Sequence, residues 1–185
     1  AGAGCLDYAV GGRLFRVSHG SFFQVNRFLI EELVKQAVEG TGETALDLYA
    51  GAGLFTLELA ARYRSVTGVE SNASAVRDLE CNAQRADAAV AAVRDTAEGY
   101  LEGLDAAPDL IVADPPRTGL GSAVVRQLIR LRAPRLTIVA CDPATLGRDL
   151  GLLAGGGYRL ERLILVDLFP QSYHLETVAH LSAGS

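Results

Sequence analysis

The chain has 185 residues, 49% of them hydrophobic, and carries a net charge of −5 from 17 basic and 22 acidic side chains. This length is typical of one domain with a sizeable buried core. No apolar run reaches the roughly 18 residues that a membrane span needs, so the sequence predicts no membrane association. This net negative charge argues against a domain that binds nucleic acid by overall electrostatic attraction alone.

The amino terminus and the cysteines indicate the cellular compartment. The first residues lack the Met, basic stretch and apolar stretch of a signal peptide, and are typical of a cut inside a longer protein. Cys5, Cys81 and Cys141 lie at unrelated spacings, which favours neither a disulfide framework nor a four-ligand zinc site. We therefore expect a cytoplasmic protein without a bound metal.

The first third of the chain predicts a hairpin and a helix. Residues 8–26 alternate apolar and polar side chains around Gly11-Gly12, which indicates a β-hairpin. Apolar residues at helical spacing from Arg27 to Val38 predict an amphipathic helix. We assign residues 1–25 to a segment that leads into the main domain.

The rest of the chain predicts an α/β domain over residues 26–185. Strand and helix signals alternate from residue 44 to residue 154, which is the βαβ rhythm of a parallel sheet. Two further strands, 158–169 and 174–182, have no helix between them and are expected to form an antiparallel edge hairpin. The predicted fold is therefore α/β, doubly wound, with a mostly parallel sheet.

Ligands of open α/β sheets bind beyond the carboxyl ends of the strands, where this chain carries polar groups. Gly51 and Gly53 allow a tight turn at a helix start, although Thr56 stands where a dinucleotide-binding fingerprint has glycine. Glu70 ends the next strand, at a spacing where a carboxylate can bind ribose hydroxyls. Asp95 follows the third strand, where an adenine contact and a solvated surface side chain are equally good interpretations. Together these residues predict a nucleoside cofactor.

A rigid acidic loop ends the fourth strand of this series. Asp114 is followed by Pro115 and Pro116, which restrict the backbone and cannot donate to a strand ladder. Such loops resemble those of S-adenosylmethionine-dependent methyltransferases that modify nucleobases. This loop favours a methyltransferase over an NAD-dependent enzyme.

Two further strand ends supply a nucleophile and a base. Cys141 precedes an apparent helix whose dipole favours a thiolate, whereas neighbouring Asp142 opposes it. His174 and Glu176 share one face of the final strand, because strand side chains alternate with a period of two. His174 alone would fit a structural histidine, but a buried Glu176 would have a raised proton affinity suited to a base. A thiolate, a base and a methyl donor suit methylation of uracil carbon 5, which becomes nucleophilic only after addition at carbon 6.

The chain resembles the catalytic domain of RNA uracil-5 methyltransferases, the family of the tRNA and 23S rRNA 5-methyluridine enzymes. The resemblance extends from about Ser21 to Thr177 and consists of six motifs in family order. These motifs are SFFQVN (21–26), LDLYAGAGLFTL (46–57), VTGVE (66–70), DPPRTGL (114–120), CDPATLGRD (141–149) and DLFPQSYHLE (167–176).

The resemblance implies a Rossmann-like class I methyltransferase fold, S-adenosylmethionine as the cofactor, and RNA bound through a longer protein. It implies that Cys141 adds to uracil carbon 6 and that Glu176 removes the carbon 5 proton. The residues expected to bind the cofactor are Gln24, Tyr49, Gly51, Gly53, Glu70, Asp95 and Asp114. Those expected at the substrate are Phe22, Phe23, Asp114 and His174, with one of the two phenylalanines forming an aromatic wall for uracil.

Departures from the family pattern leave the proposed catalytic groups in place. Ala50, Ala140 and Asp142 stand where cysteine, serine and asparagine are common. Many family members carry an RNA-binding barrel and a four-cysteine iron–sulfur site ahead of this region, and three scattered cysteines cannot supply that cluster. Such a preceding region would provide much of the affinity for RNA. We expect no membrane and no obligate protein partner.

Two alternatives stay open from the sequence. A methyltransferase acting on another nucleobase would use the Asp-Pro-Pro loop without needing Cys141 or Glu176. A truncated domain would bind S-adenosylmethionine or RNA without turnover.

Overall fold

The computed structural model describes residues 4–24, 26–168, 171 and 175–184. Its strands are β1 (Cys5–Val10), β2 (Arg13–Ser18), β3 (Gly42–Leu48), β4 (Tyr63–Glu70), β5 (Val90–Arg94), β6 (Leu110–Ala113), β7 (Arg135–Ala140), β8 (Tyr158–Val166) and β9 (Glu176–Ala183). Its helices are α1 (Ile30–Ala37), α2 (Leu54–Ala60), α3 (Ala73–Arg85), α4 (Ala97–Glu102), α5 (Gly121–Leu131) and α6 (Pro143–Gly155). Within these described ranges, no helix is long and apolar enough to cross a membrane.

The main sheet has seven strands in the order β5-β4-β3-β6-β7-β9-β8. Strands β3 to β7 pair in parallel, and β9 pairs antiparallel with both β7 and β8. The α/β architecture and the antiparallel pair at the carboxyl terminus are confirmed. The chain places β9 inside the sheet and β8 at its edge.

Helices cover both faces of this sheet and form two apolar cores. Side chains of α1 and α2 pack with the hairpin on one face, and those of α4, α5 and α6 pack on the other. All four residues of β6 are buried, as expected for a central parallel strand covered on both sides. The carboxyl ends of the central strands are therefore held in a fixed order at one edge.

The predicted amino-terminal hairpin is confirmed, and it is bound to the main sheet domain through α3. Strands β1 and β2 pair around Gly11-Gly12, both with positive φ angles. The buried Asp78 carboxylate accepts hydrogen bonds from Ser18 N and Ser18 Oγ at 2.7 Å each, and from Ser21 Oγ at 2.6 Å. The segment that leaves the hairpin at Ser21 is therefore fixed to the body. A boundary between residues 25 and 26 stays a prediction.

Helix α1 starts one turn later than its apolar spacing predicts, at Ile30. The Asn26 side chain accepts hydrogen bonds from the Phe28 and Leu29 N–H groups at 3.0 and 3.3 Å. Its amide also donates to the Leu168 carbonyl at 2.7 Å. The Asn26 carbonyl accepts the Ile30 N–H at 3.1 Å, so Asn26 caps the turn of residues 27–29 that leads into the helix.

Candidate active site

A cavity of about 600 Å³ lies at the carboxyl ends of β3, β4, β6 and β7, beside the first residue of β9. It brings together most of the residues that the sequence singles out. Its wall consists of Phe22, Gln24, Tyr49, Gly51, Glu70, Ser71, Asp114, Pro115, Pro116, Arg117, Cys141 and Glu176. A cavity with one apolar side and convergent polar groups is typical of a ligand site.

One end of the cavity is a backbone turn joined to a carboxylate. Gly51 has a φ of 54°, and its N–H donates to Glu70 Oε2 at 3.0 Å. Glu70 Oε1 accepts the Asn72 N–H at 2.7 Å. Of the residues that the structure describes, a Cβ added at Gly51 would come within 4 Å of only the Phe22 carbonyl, at 3.7 Å, so the turn leaves room for a ligand. The turn and the carboxylate therefore form a preorganised cradle that fits a nucleoside.

Thr56 occupies the position where a dinucleotide-binding fingerprint has glycine, and it has a structural role. Its hydroxyl donates to Asp47 Oδ2 at 2.5 Å, and both residues are fully buried. Burial raises the pKa of Asp47 to about 7, despite the hydrogen bond from Thr56. Asp47 is not among the site residues predicted from the sequence, although a carboxylate inside an apolar strand is a signal for it.

Gly53 and Asp95 do not line the cavity. Gly53 starts α2 with a φ of 94°, and a Cβ there would lie 2.5 Å from Leu79 Cδ1. The packing of α3 on this turn therefore requires a glycine. Asp95 is exposed, and its carboxylate accepts the neighbouring Thr96 N–H at 2.7 Å. Contact of either residue with a cofactor stays a prediction.

The structure distinguishes the two phenylalanines of the first motif. Phe22 is 72% exposed and lines the cavity. Phe23 turns towards the hairpin, where its ring lies 5.3 Å from Tyr8 and 5.5 Å from Phe15 between centroids. Phe22 is therefore the ring available to a planar ligand in the cavity. His174, the other expected substrate residue, lies outside the described residues.

The Asp-Pro-Pro loop places the Asp114 carboxyl group on the wall of the cavity. Asp114 directly follows β6, and its N–H donates to the Leu48 carbonyl at 3.3 Å. Burial raises the pKa of Asp114 well above its usual range, and the charges of Glu176 and Asp47 add to this effect. A hydrogen bond with Gln24 partly offsets the rise. Arg117, which the sequence analysis quoted only within its motif, brings a positive charge to the same wall.

Glu176 is a buried carboxyl group without a hydrogen-bond partner among the described residues. It begins β9, is 1% exposed, and neither of its carboxyl oxygens is paired. Burial raises its pKa to about 7. An unpaired carboxyl group with a pKa near neutrality is suited to accept a proton from a bound ligand.

Cys141 lies between the end of β7 and the start of α6, as the sequence predicts. Burial raises the pKa of its thiol, and the nearby Glu176 and Asp114 raise it further, whereas Arg117 lowers it. Burial and the two carboxyl groups therefore hold the pKa of the Cys141 thiol above its ordinary value. The expectation that the helix dipole favours a thiolate stays a prediction.

The Asp142 carboxylate caps α6. Its Oδ1 atom accepts the Thr145 N–H at 2.8 Å, and Pro143 occupies the first turn, where proline is favoured. This bond lowers the pKa of Asp142, so its charge stays at the helix start. The opposition between Asp142 and the thiol is therefore small beside that from Glu176 and Asp114.

Comparison with known proteins identifies a matching family. The family model described as tRNA (Uracil-5-)-methyltransferase matches residues 7–183. An uncharacterized RNA methyltransferase of Streptomyces avermitilis is 43% identical over 186 residues, which cover 94% of this chain and 42% of that protein. One from Aquifex aeolicus is 36% identical, covering 93% of this chain and 41% of that protein. The chain thus spans about two fifths of the length of these relatives.

A solved structure shares the whole fold. The Pyrococcus abyssi tRNA (uracil-54, C5)-methyltransferase, in complex with S-adenosyl-L-homocysteine, superposes with a TM-score of 0.85 at 30% sequence identity. The match covers 98% of this chain and 45% of that one. The architecture is therefore the Rossmann-like fold of S-adenosylmethionine-dependent methyltransferases.

Proposed function

The chain belongs to the tRNA (uracil-5-)-methyltransferase family, and we propose that its protein methylates carbon 5 of a uridine in RNA. One observation carries the proposal. The same cavity is lined by the Cys141 thiol, the unpaired Glu176 carboxyl group and the cradle of Gly51 and Glu70. A nucleophile, a base and a nucleoside site in one cavity are the groups that this reaction needs.

The cradle fits S-adenosylmethionine as the methyl donor. Glu70 would bind the ribose hydroxyls, because its carboxylate is already oriented by the Gly51 and Asn72 N–H groups. Gln24, Tyr49 and Asp114 would line the remainder of the bound cofactor, and Asp95 and Gly53 are proposed as outer contacts. When bound, the cofactor supplies an electrophilic methyl group on a sulfonium.

Cys141 would activate the uracil ring. Its thiolate form adds to carbon 6, which places the displaced electron pair on carbon 5 and the carbonyl of carbon 4. Carbon 5 would then form the new bond to the methyl group while the sulfur–methyl bond breaks, and the sulfur would keep that electron pair and leave as the thioether of S-adenosylhomocysteine. Arg117 favours the thiolate by its positive charge, and the thiol proton leaves to solvent.

Glu176 would complete the reaction as a base. It removes the proton of carbon 5, the electron pair of that bond forms the carbon 5 to carbon 6 double bond, and Cys141 leaves as a thiolate. The pKa of about 7 gives Glu176 a substantial ionised fraction near neutrality and enough basicity to take a proton. Neither carboxyl oxygen has a hydrogen-bond partner in the described part of the chain, so both are available to a ligand.

Phe22 would stack against the flipped uridine, since its ring is the exposed one at the cavity. A base must leave its stack to reach Cys141, and an aromatic surface compensates part of that cost. The net charge of −5 supplies no general attraction to RNA. Much of the RNA affinity is therefore assigned to parts of the protein beyond these 185 residues.

Trapping with 5-fluorouridine RNA tests the chemistry. Fluorine at carbon 5 cannot be removed by a base, so the protein should remain covalently attached to RNA when S-adenosylmethionine is present. The adduct is measured as a shifted band under denaturing conditions and by mass spectrometry. Cys141→Ala should abolish it, whereas the matched Cys81→Ala variant on α3 should keep it.

Glu176→Gln separates the two catalytic roles. On ordinary uridine RNA this variant should accumulate the methylated adduct, because the carbon 5 proton stays in place. The exposed Glu161→Gln serves as its control and should turn over normally. Unchanged turnover in Cys141→Ala and Glu176→Gln would instead indicate another nucleobase. Tight cofactor binding without turnover in the full protein would indicate a binding domain.

A further inference from the structure

Two hydrogen bonds outside the cavity join the helix that follows Cys141 to the Asp-Pro-Pro loop. Asp149 on α6 accepts the Leu120 N–H at 2.7 Å through Oδ2. Its Oδ1 atom accepts the Arg148 Nε and Nη2 groups at 3.0 and 2.8 Å. Arg148 Nη2 also donates to the Thr118 carbonyl at 2.8 Å. We call this set, Arg148 and Asp149 with residues 118–120, the loop brace.

The loop brace leaves no room for a side chain at Gly119. This glycine has a φ of 78°, and a Cβ there would collide with Asp149 Oδ2 and lie 2.6 Å from Arg148 Nη2. The nearby Gly121 also has a positive φ, of 76°, but a Cβ there would meet nothing within 4 Å. The two glycines thus share backbone strain and differ in contact with the brace.

The brace connects two groups of cavity residues. The loop begins at Asp114, carries Arg117, and ends at Leu120 under Asp149. Helix α6 begins at Pro143, two residues after Cys141, and carries Asp149 about two turns later. Burial raises the pKa of Tyr49 on the cavity wall to about 12, and the charge of Asp149 adds to this rise. Any shift of the loop relative to α6 would therefore change the position of Arg117 relative to the thiol.

We infer that Arg148 and Asp149 are positioning residues that hold Asp114 and Arg117 at a fixed distance from Cys141. Buried Asp149 has a side chain that is 2% exposed, so its bonds to the loop persist without competition from water. Prolines 115 and 116 stiffen the front of the loop, and the brace fixes its rear. The expected effect on the rate of adduct formation with RNA rests on the proposed function. The expected effect on the reactivity of the Cys141 thiol does not.

The test compares Gly119→Ala with Gly121→Ala in otherwise identical protein. Both variants are first shown to be folded by circular dichroism and thermal unfolding. Single-turnover adduct formation with 5-fluorouridine RNA is then measured at saturating RNA and cofactor. Gly119→Ala should slow the adduct by about tenfold, because small misplacements of reacting groups carry large rate costs. Gly121→Ala should stay within about twofold, and both should bind S-adenosylhomocysteine normally by calorimetry.

A double-mutant cycle distinguishes positioning from general destabilisation. Gly119→Ala and Asp149→Asn remove the same contact, so their combined effect on the rate should be no larger than that of the worse single variant. Gly121→Ala combined with Asp149→Asn should give additive effects. The charge-matched control for Arg148→Ala is Arg159→Ala, which removes an exposed arginine on β8.

A second readout does not depend on RNA. The rate of Cys141 alkylation by iodoacetamide is followed by peptide mass spectrometry. In Gly119→Ala this rate should differ from the wild-type rate by about threefold or more, and in Gly121→Ala it should stay near the wild-type rate. If the wild-type protein forms no adduct but this difference is seen, the proposed function fails and the brace stands. If the wild-type protein is active and Gly119→Ala matches Gly121→Ala in both readouts, the brace is overturned.

Discussion

Replacing Glu176 by glutamine should make the protein progressively more stable than wild type as the pH rises. The folded-state pKa of Glu176 is raised from 4.5 to about 7, because its carboxyl group is buried without a hydrogen-bond partner among the described residues. Between these values the folded state binds a proton that the unfolded state has released. Wild-type stability therefore falls as the pH rises through this window, and Glu176→Gln lacks that loss.

The magnitude follows from the displaced pKa. At about 1.4 kcal/mol per pH unit, the difference between 4.5 and about 7 amounts to roughly 3 kcal/mol. Wild type has already lost part of this stability at pH 5. The difference in unfolding free energy between Glu176→Gln and wild type should therefore widen by about 2.5 kcal/mol from pH 5 to pH 8. Removing this charge also relaxes Asp114, whose pKa it raises, and that acts in the same direction.

Urea unfolding at pH 5, 6, 7 and 8 measures the gap directly. Glu161→Gln is the control, because Ser182 and Arg159 lower the pKa of exposed Glu161, which is opposite in direction to the shift at Glu176. The gap between Glu161→Gln and wild type should therefore not widen in favour of the variant as the pH rises. A gap for Glu176→Gln that stays constant within about 0.5 kcal/mol would refute the argument that this carboxyl group is buried and unpaired.

Two further expectations concern Cys141 and Asp142. The alkylation rate of Cys141 should rise with pH along a curve displaced above that of an ordinary thiol; Glu176→Gln should move the midpoint down and Arg117→Ala should move it up. A midpoint unaffected by both changes would contradict the electrostatic account. Asp142→Asn should keep the unfolding free energy within about 0.5 kcal/mol of wild type, whereas Asp142→Ala should lose about 1 kcal/mol, because only alanine removes the cap. Equal losses in urea unfolding would show that the carboxylate does not act as a cap.

Local patterns were sufficient to place the chemistry along the chain. The Gly11-Gly12 turn predicts its hairpin, and the strand ends at Glu70, Asp114 and Cys141 lie where the periodicity puts them. These signals are short-range, because side-chain period and turn residues depend on neighbours within a few positions. Parallel strand order then requires their carboxyl ends to meet at one edge. The gathering of most candidate residues in one cavity is therefore predictable.

Orientation within that cavity depends on partners distant in the chain. Phe22 and Phe23 are indistinguishable by sequence, and the packing of Phe23 on Tyr8 and Phe15 decides which ring faces the cavity. The sequence predicts Gly53 as a ligand contact, which stays a prediction. In the structure, Leu79 of α3 packs where a Cβ at position 53 would lie, and this contact accounts for the glycine. Adjacent residues on a loop have no fixed alternation, so only their long-range contacts assign their directions.

The residue sequence by itself determined which groups this protein has, on which strand ends they lie, and to which family its motifs are similar. Only the tertiary structure decided their proton affinities. The pKa of Glu176 rises to about 7, and the pKa of the Cys141 thiol also rises, because burial removes water from both groups. The Asp142 carboxylate stays charged because it is bonded to the start of α6. Proton affinity depends on desolvation and through-space charges, and both arise only when distant segments pack together.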